Sequence, residues 1–206
     1  KGEMFRLRAK ALLAGGDAPN ALNDVEESSR NFLLTRQQPF GNHWKDELAR
    51  TWTLRSKILF LLKDFGQAES SIQDAINHFE ERLREGHHEY FTDLMAALTV
   101  RAENSAKSGK IDQVLEEYNR MLGIIASVAK SGAAIDHERE MAKVLERRAQ
   151  VYRDQSLLNE AYADYESVIS LYRSLVTQKG RAELAEELVR VHLDRAQMTS
   201  KAGPAQ

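Results

Sequence analysis

The apolar positions of this chain recur three and four residues apart, as in Phe5, Ala9 and Leu12 near its start. This spacing places apolar side chains on one face of an α-helix, whereas half-buried strands require strict alternation, which is hard to find here. The chain also contains only three prolines in 206 residues, so long helices are permitted. The pattern predicts an all-α protein.

An internal repeat organises these helices, because an arginine followed by a small or short residue returns after steps of 47, 46, 47 and 47 residues. This arginine column consists of Arg8, Arg55, Arg101, Arg148 and Arg195. Two further columns in the first four copies are the mostly small residues Ala21, Ala68, Val114 and Ala161 and the larger residues Val25, Ile72, Tyr118 and Tyr165. Self-similarity at a fixed period is the sequence signature of repeat architectures.

Each copy predicts one helical hairpin, made of a helix A, a short turn, a helix B and a glycine-containing connection to the next copy. The turns are expected around residues 16–17, 63–66, 108–110 and 154–156, and the connections at Gly41, Gly86, Gly132 and Gly180. The four copies span about 1–43, 44–89, 90–136 and 137–181 of a single repeat domain, followed by a helix over 182–201 and a tail, 202–206. We expect the polar face of that last helix to cap the stack.

The columns resemble the tetratricopeptide repeat, most clearly at Ala149, Tyr152, Ala161 and Tyr165 of the fourth copy. The resemblance implies an α-solenoid of four antiparallel hairpins, wound as a right-handed superhelix. Two features differ from the ordinary repeat: the period of about 47 exceeds 34 residues, and arginine precedes the small residue of helix A where leucine is usual. Segments such as 180–188 followed by 194–196 are similar to a long-period bacterial subclass of this repeat. A HEAT-like or 14-3-3-like helical array of similar period is the alternative.

The arginine column has two interpretations. Sixteen residues after the arginine, helix B carries an acid in three of four copies, namely Asp24, Glu117 and Asp164, with Ser71 as the exception. A partly buried guanidinium needs such an acceptor, so a repeated arginine–acid pair would fix the register of each hairpin. The alternative is a ladder of arginines that faces an acidic ligand or phosphopeptide. We favour the structural pair because the column adjoins the packing residue.

The resemblance also implies a partner-binding groove on the concave face formed by the A helices. The groove residues expected to contact a partner are Arg6, Lys10, Leu13, Arg50, Lys57, Phe60, Leu61, Lys107, Lys143, Arg153 and Arg190. Basic residues outnumber acidic ones at the groove positions, which would suit an acidic peptide, with Phe60, Leu61 and Leu13 as an apolar foothold. The alternative is an ordinary solvated helix face. The lysine/asparagine pattern of the carboxylate-clamp subclass is missing.

Composition and motifs narrow the function further. The net charge of −2 removes the usual electrostatic argument for nucleic-acid binding, and the longest apolar run, 58–62, is far short of a membrane span. The absence of cysteine excludes thiolate metal sites and fits a cytoplasmic protein. The one histidine cluster, His87-His88, lacks metal-ligand spacing, and no phosphate-binding loop or nucleophile elbow occurs. We therefore expect no metal, no cofactor and no enzymatic activity.

These observations predict a protein–protein interaction or scaffolding module that binds a peptide or a partner domain. The sequence opens without methionine inside what should already be helix A, so we expect a fragment of a larger multidomain protein. The alternative is a domain that senses a small ligand or signal peptide and regulates a catalytic domain outside this chain. A ligand-dependent change in hydrodynamic radius would favour that alternative.

Overall fold

The computed structural model describes residues 1–35 and 43–201, with side chains described up to residue 198. These ranges contain helices and no strand, which confirms the predicted all-α class. The long helices are α1 (Gly2–Ala14), α2 (Ala18–Thr35), α3 (His43–Leu61), α4 (Phe65–Arg84), α5 (Phe91–Lys107), α6 (Ile111–Lys130), α7 (His137–Asp154), α8 (Leu158–Thr177) and α9 (Ala185–Lys201). Single 3₁₀ turns, His88–Tyr90 and Ala182–Leu184, precede α5 and α9.

The four predicted turns between helix A and helix B all lie between helices, and each ends its helix in the same way. One residue adopts positive φ in every turn: Gly16, Lys63, Gly109 and Ser156. The next residue donates its backbone N–H to the carbonyl five positions earlier, as from Asp64 to Leu59 at 2.9 Å. This Schellman arrangement satisfies carbonyls that the helix end would otherwise leave unpaired.

The connections from helix B to the next helix A also use glycine, since Gly86, Gly132 and Gly180 have positive φ. The remaining predicted break, Gly41, lies outside the described residues. Aspartate side chains start several helices: Asp64 accepts from the backbone N–H of Gln67 at 3.1 Å ahead of α4. A side-chain acceptor at this position satisfies an N–H group that has no partner within the helix.

The chain divides into two compact units, Lys1–Lys110 and Ile111–Gln206, each described by itself. Unit 1 contains α1 to α5, and each helix packs against the next one along the chain. The small residues Ala9 and Ala21 are fully buried, together with Val25 and Ile58. Short side chains at these positions let two helices approach closely, which explains the small-residue columns.

Unit 2 contains α6 to α9, again packed in neighbouring pairs. Its core is built around Ala149 and Ala161, with the fully buried rings of Tyr165 and Tyr172 beside them. Helix α9 covers α8 with Val191 and Met198. The outer face of α9 is less polar than expected of a cap, because Val189 and Leu193 are more than half exposed.

Candidate functional site

The arginine column contacts protein partners within the hairpins. Arg148 on α7 donates from Nε to Asp164 Oδ2 at 2.8 Å and from Nη2 to Oδ1 at 2.7 Å, across to α8. Arg8 makes the equivalent two-bond contact to Asp24, at 2.5 Å for each bond. In the second copy, where serine replaces the acid, Arg55 donates to Ser71 Oγ at 2.7 Å. A bidentate contact fixes both distance and orientation between two helices.

The same arginines also contact the helix B that precedes them in the chain, which the sequence analysis missed. Arg148 donates to Asn119 on α6, and Arg195 on α9 donates to Glu166 on α8. Arg101 donates to Gln73 on α4 at 2.7 Å, and Arg55 lies 3.9 Å from Glu26 on α2. These partners recur in the sequence with the same period as the arginines, so this polar column could have predicted the contacts. The column consists of Glu26, Gln73, Asn119 and Glu166.

Each of these arginines therefore joins its own helix A to one or two B helices. The arrangement uses hydrogen-bond donors that a ligand-binding ladder would need to present to solvent. Arg148 keeps only 18% of its side-chain surface exposed, whereas Arg8, on the first helix, keeps 64%. The geometry fits the structural interpretation of the column at Arg148 and leaves the guanidinium of Arg8 accessible.

The predicted basic groove is largely compensated by acidic residues on neighbouring A helices. In unit 1, Arg6 on α1 lies 2.6 Å from Glu47 on α3, and Arg50 on α3 lies 2.6 Å from Asp93 on α5. The hydrogen bonds that Arg50 donates to Asp93 raise the pKa of its guanidinium. Lys57 lies 3.9 Å from Glu103. These pairs link the A helices side by side within the unit.

Arg6 is not available to contact a partner as predicted, because it is only 7% exposed and its guanidinium pairs with Glu47. A partner could not reach it without breaking a buried ion pair, which is costly. In unit 2, Arg190 pairs with Glu146, Lys143 with Glu140 and Arg153 with Asp154. Among the predicted basic groove residues, Lys10 and Lys107 have no carboxylate partner in the described ion pairs.

The three residues predicted as an apolar foothold, Leu13, Phe60 and Leu61, lie in two different environments. Leu13 is half-buried and packs against the core of unit 1. Phe60 and Leu61 instead belong to a set at the turn between α3 and α4, which we call the α3–α4 turn patch. It consists of the partly buried Phe60 and the exposed Leu61, Leu62 and Phe65. Leu61 is 49% exposed, Leu62 36% and Phe65 54%. The Phe60 and Phe65 rings lie 5.0 Å apart, and the Lys107 ammonium lies 5.9 Å from the Phe60 ring centre.

Unit 2 exposes apolar residues at the corresponding turn, between α7 and α8. We call Leu157, Leu158 and Tyr162 the α7–α8 turn set; they are 41%, 37% and 44% exposed. Leu158 is the first residue of α8, as Phe65 is the first residue of α4. The guanidinium of Arg195 lies 5.8 Å from the Tyr162 ring centre. Large apolar side chains are thus exposed at the same place in both units.

A buried polar cluster centred on Asp46 also escaped the sequence analysis. The Asp46 carboxylate is 3% exposed and accepts from Tyr90 Oη at 2.6 Å, while His78 Nε2 lies 2.8 Å from its other oxygen. Arg82 Nε lies 3.4 Å from that same oxygen, and its guanidinium covers the Tyr90 ring at 5.0 Å. The cluster ties the start of α3 to the end of α4 and to the turn before α5.

Burial and the bond to Asp46 raise the pKa of Tyr90, so its hydroxyl stays a hydrogen-bond donor at neutral pH. The partners of Asp46 come from two separate elements, α4 and the turn before α5, and they repeat in no other copy, so the repeat period could not predict these contacts. Because the carboxylate is enclosed by its own donors, the cluster serves the packing of unit 1.

The histidine pair His87-His88 lies at the connection between α4 and α5. His87 Nδ1 is 3.1 Å from Glu89. Across residues 1–35 and 43–201, no three histidine, aspartate or glutamate side chains are grouped as they would be to hold a metal ion. Over the same part of the chain, none of the helices combines the length and apolar character needed to cross a membrane.

Comparison with known proteins adds no identity, since no family model and no curated protein matches this sequence.

Proposed function

We propose that this chain is a non-enzymatic, cytoplasmic protein–protein interaction module, built as a tetratricopeptide-like array of helical hairpins, that binds a peptide or a partner domain. Three features of the chain support the array: the 47-residue period, the packing of helices in neighbouring pairs within each unit, and the arginines that join A and B helices. A rigid array of this kind presents its turns and helix faces in fixed positions.

The observation that carries the proposal is the exposure of large apolar residues at the A–B turn of both units. Covering exposed apolar groups with a partner is favourable because it removes them from water, and clustered apolar residues on a surface mark sites of interaction. Single exposed leucines would need no explanation. Here three exposed residues gather at the turn between α3 and α4, and three more at the turn between α7 and α8.

The polar groups support the same function, because the most buried of them are engaged with one another. The Asp46 cluster and the Arg6–Glu47 pair lie inside unit 1. A catalytic site instead needs reactive groups that converge on an accessible pocket. The proposal accordingly assigns binding to the apolar turns and gives the paired cations of the A helices a structural role.

Affinity capture with mass spectrometry tests the proposal with matched variants. Leu61→Ser with Phe65→Ser removes apolar surface in unit 1, and Leu157→Ser with Leu158→Ser does so in unit 2. We expect at least one double variant to lose captured partners while its helical circular dichroism is retained. Met4→Ser is the control, because Met4 is 73% exposed but lies on α1 and belongs to neither turn set. Capture unchanged in both folded double variants contradicts the proposal.

A further inference from the structure

The α3–α4 turn patch differs from its counterpart in unit 2 by the charges around it. Lys57 lies one helical turn before Phe60 on the same face of α3. Lys63 stands within the turn itself, and Lys107 of α5 reaches over the Phe60 ring at 5.9 Å. Three lysines therefore border four apolar side chains.

Two acidic side chains, Asp64 and Glu103, adjoin this border. Asp64 caps α4, since its Oδ1 accepts from the Gln67 backbone at 3.1 Å and its Oδ2 from the Gln67 amide at 2.6 Å. Glu103 lies 3.9 Å from Lys57, and both side chains are more than 40% exposed, which makes this pair weak. Lys63 and Lys107 have no carboxylate partner in the described ion pairs. The hydrogen bonds to Asp64 come from neutral groups and leave its charge in place, so three lysines against Asp64 and Glu103 give the border one net positive charge.

The backbone of the turn makes the lysine at its tip notable. Lys63 has φ 65°, the left-handed region in which the first and third copies use Gly16 and Gly109. A residue with a side chain costs about 1 kcal/mol more than glycine in this region. Serine stands at the equivalent position of the α7–α8 turn, where the neighbouring Asp154 is 65% exposed. A lysine at the tip is therefore particular to the unit 1 patch.

We infer that the α3–α4 turn patch binds an acidic peptide segment whose leucine or phenylalanine side chains pack on Phe60, Leu61, Leu62 and Phe65 while its carboxylates contact Lys63 and Lys107. This inference rests on the proposed function and names the chemistry of the partner. Apolar anchors supply affinity and complementary charges supply orientation in such contacts.

An anionic membrane is the other surface that carries acidic groups beside apolar ones. Electrostatic recruitment to a membrane commonly uses clusters of 4–8 basic residues. The patch has three lysines, one of them near Glu103, on a chain of net charge −2. The charge count therefore favours a peptide over a lipid surface.

The test is an NMR titration of the whole chain, labelled at leucine methyl groups and backbone amides, with a synthetic peptide of about twelve residues. The peptide contains aspartate and glutamate around two leucines and one phenylalanine. We expect concentration-dependent shifts at Leu61, Leu62, Lys63 and Lys107. A peptide with lysine in place of its acids, and another with alanine in place of its apolar residues, should each bind at least tenfold more weakly.

Variants of the protein complete the test. Lys63→Glu with Lys107→Glu should weaken binding of the acidic peptide about tenfold or more, and Phe65→Ser should do the same. Met4→Ser is the control, since Met4 is 73% exposed on α1 and belongs to neither turn set, so it should leave binding unchanged. Circular dichroism checks that each variant is folded.

Three results would overturn the inference. One is equal binding of the acidic and the lysine-containing peptides. Another is the absence of shifts at the patch together with binding to vesicles that contain phosphatidylserine. The third is a set of shifts confined to the α7–α8 turn set, which refutes the site and leaves the proposed interaction function standing.

Discussion

Arg148 and Asp164 join α7 to α8 through two hydrogen bonds between a guanidinium that is 18% exposed and a carboxylate that is 8% exposed. The hydrogen bonds to Asp164 raise the pKa of Arg148, so the guanidinium keeps its positive charge. Both ends of the contact are nearly enclosed, and either residue alone would leave a buried charge without its counterion.

Replacing Arg148 by alanine should therefore destabilise the fold. The expected loss is about 3–5 kcal/mol in the free energy of unfolding, because Asp164 would remain buried and unpaired. Chemical denaturation followed by circular dichroism measures it. Arg147→Ala is the control, since the preceding arginine is exposed and should change stability little. An unchanged melting temperature for Arg148→Ala would assign the arginine column to ligand binding instead.

The Asp46 cluster makes a second prediction about stability. Tyr90→Phe removes the hydroxyl that donates to Asp46 and should cost about 1–3 kcal/mol, because a buried carboxylate oxygen loses its partner. Tyr162→Phe should cost close to nothing, since that ring is 44% exposed. Thermal melts of the two variants give the comparison. Equal stability of the two would show that the Tyr90 hydroxyl contributes nothing to unit 1.

The turn between α7 and α8 is predicted to tolerate glycine better than its own serine. Ser156 has φ 61°, which strains any residue with a side chain. Ser156→Gly should stabilise the protein by about 0.5 kcal/mol, because relief of that strain exceeds the added entropy of the unfolded chain. Ser167→Gly, in the middle of α8, should instead destabilise by about 0.5–1 kcal/mol. Denaturant midpoints distinguish the two; a lower midpoint for Ser156→Gly contradicts the prediction.

The Arg8–Asp24 pair should make the stability of the folded protein depend on pH in the acidic range. The hydrogen bonds from Arg8 hold the pKa of Asp24 below the usual value of an aspartate, against an opposing effect of burial. A carboxyl whose pKa is lower in the folded protein stabilises it above the unfolded pKa, and this contribution is lost as pH falls through the folded value. Carboxyl NMR should show a higher pKa for Asp24 in Arg8→Ala. The same pKa in both proteins would mean that the pair is broken in solution.

Much of the local architecture could be read from spacing alone. The all-α class, the turn positions and the sixteen-residue arginine–acid separation follow from a period that places equivalent residues on equivalent helix faces. The charge of the groove was harder to predict, because acidic residues on neighbouring A helices pair with its arginines. Glu47 and Asp93, which pair with Arg6 and Arg50, were not among the groove positions, so the sequence analysis overestimated the free positive charge.

The Asp46 cluster shows the limit of this approach. Its partners lie on α4 and in the turn before α5, at separations of 32 and 44 residues that no column repeats. A contact that occurs once leaves no periodic trace, so only the folded structure could bring these side chains together.

The sequence by itself determined which segments are helical, where they turn and which small residues let them cross, because these properties depend on residues a few positions apart. Tertiary structure decided which charges are neutralised and which apolar residues stay exposed, because both depend on the neighbouring helix. Because the groove arginines are paired while Leu61 and Phe65 remain about half exposed, the α3–α4 turn patch replaces the predicted basic groove as the candidate binding surface.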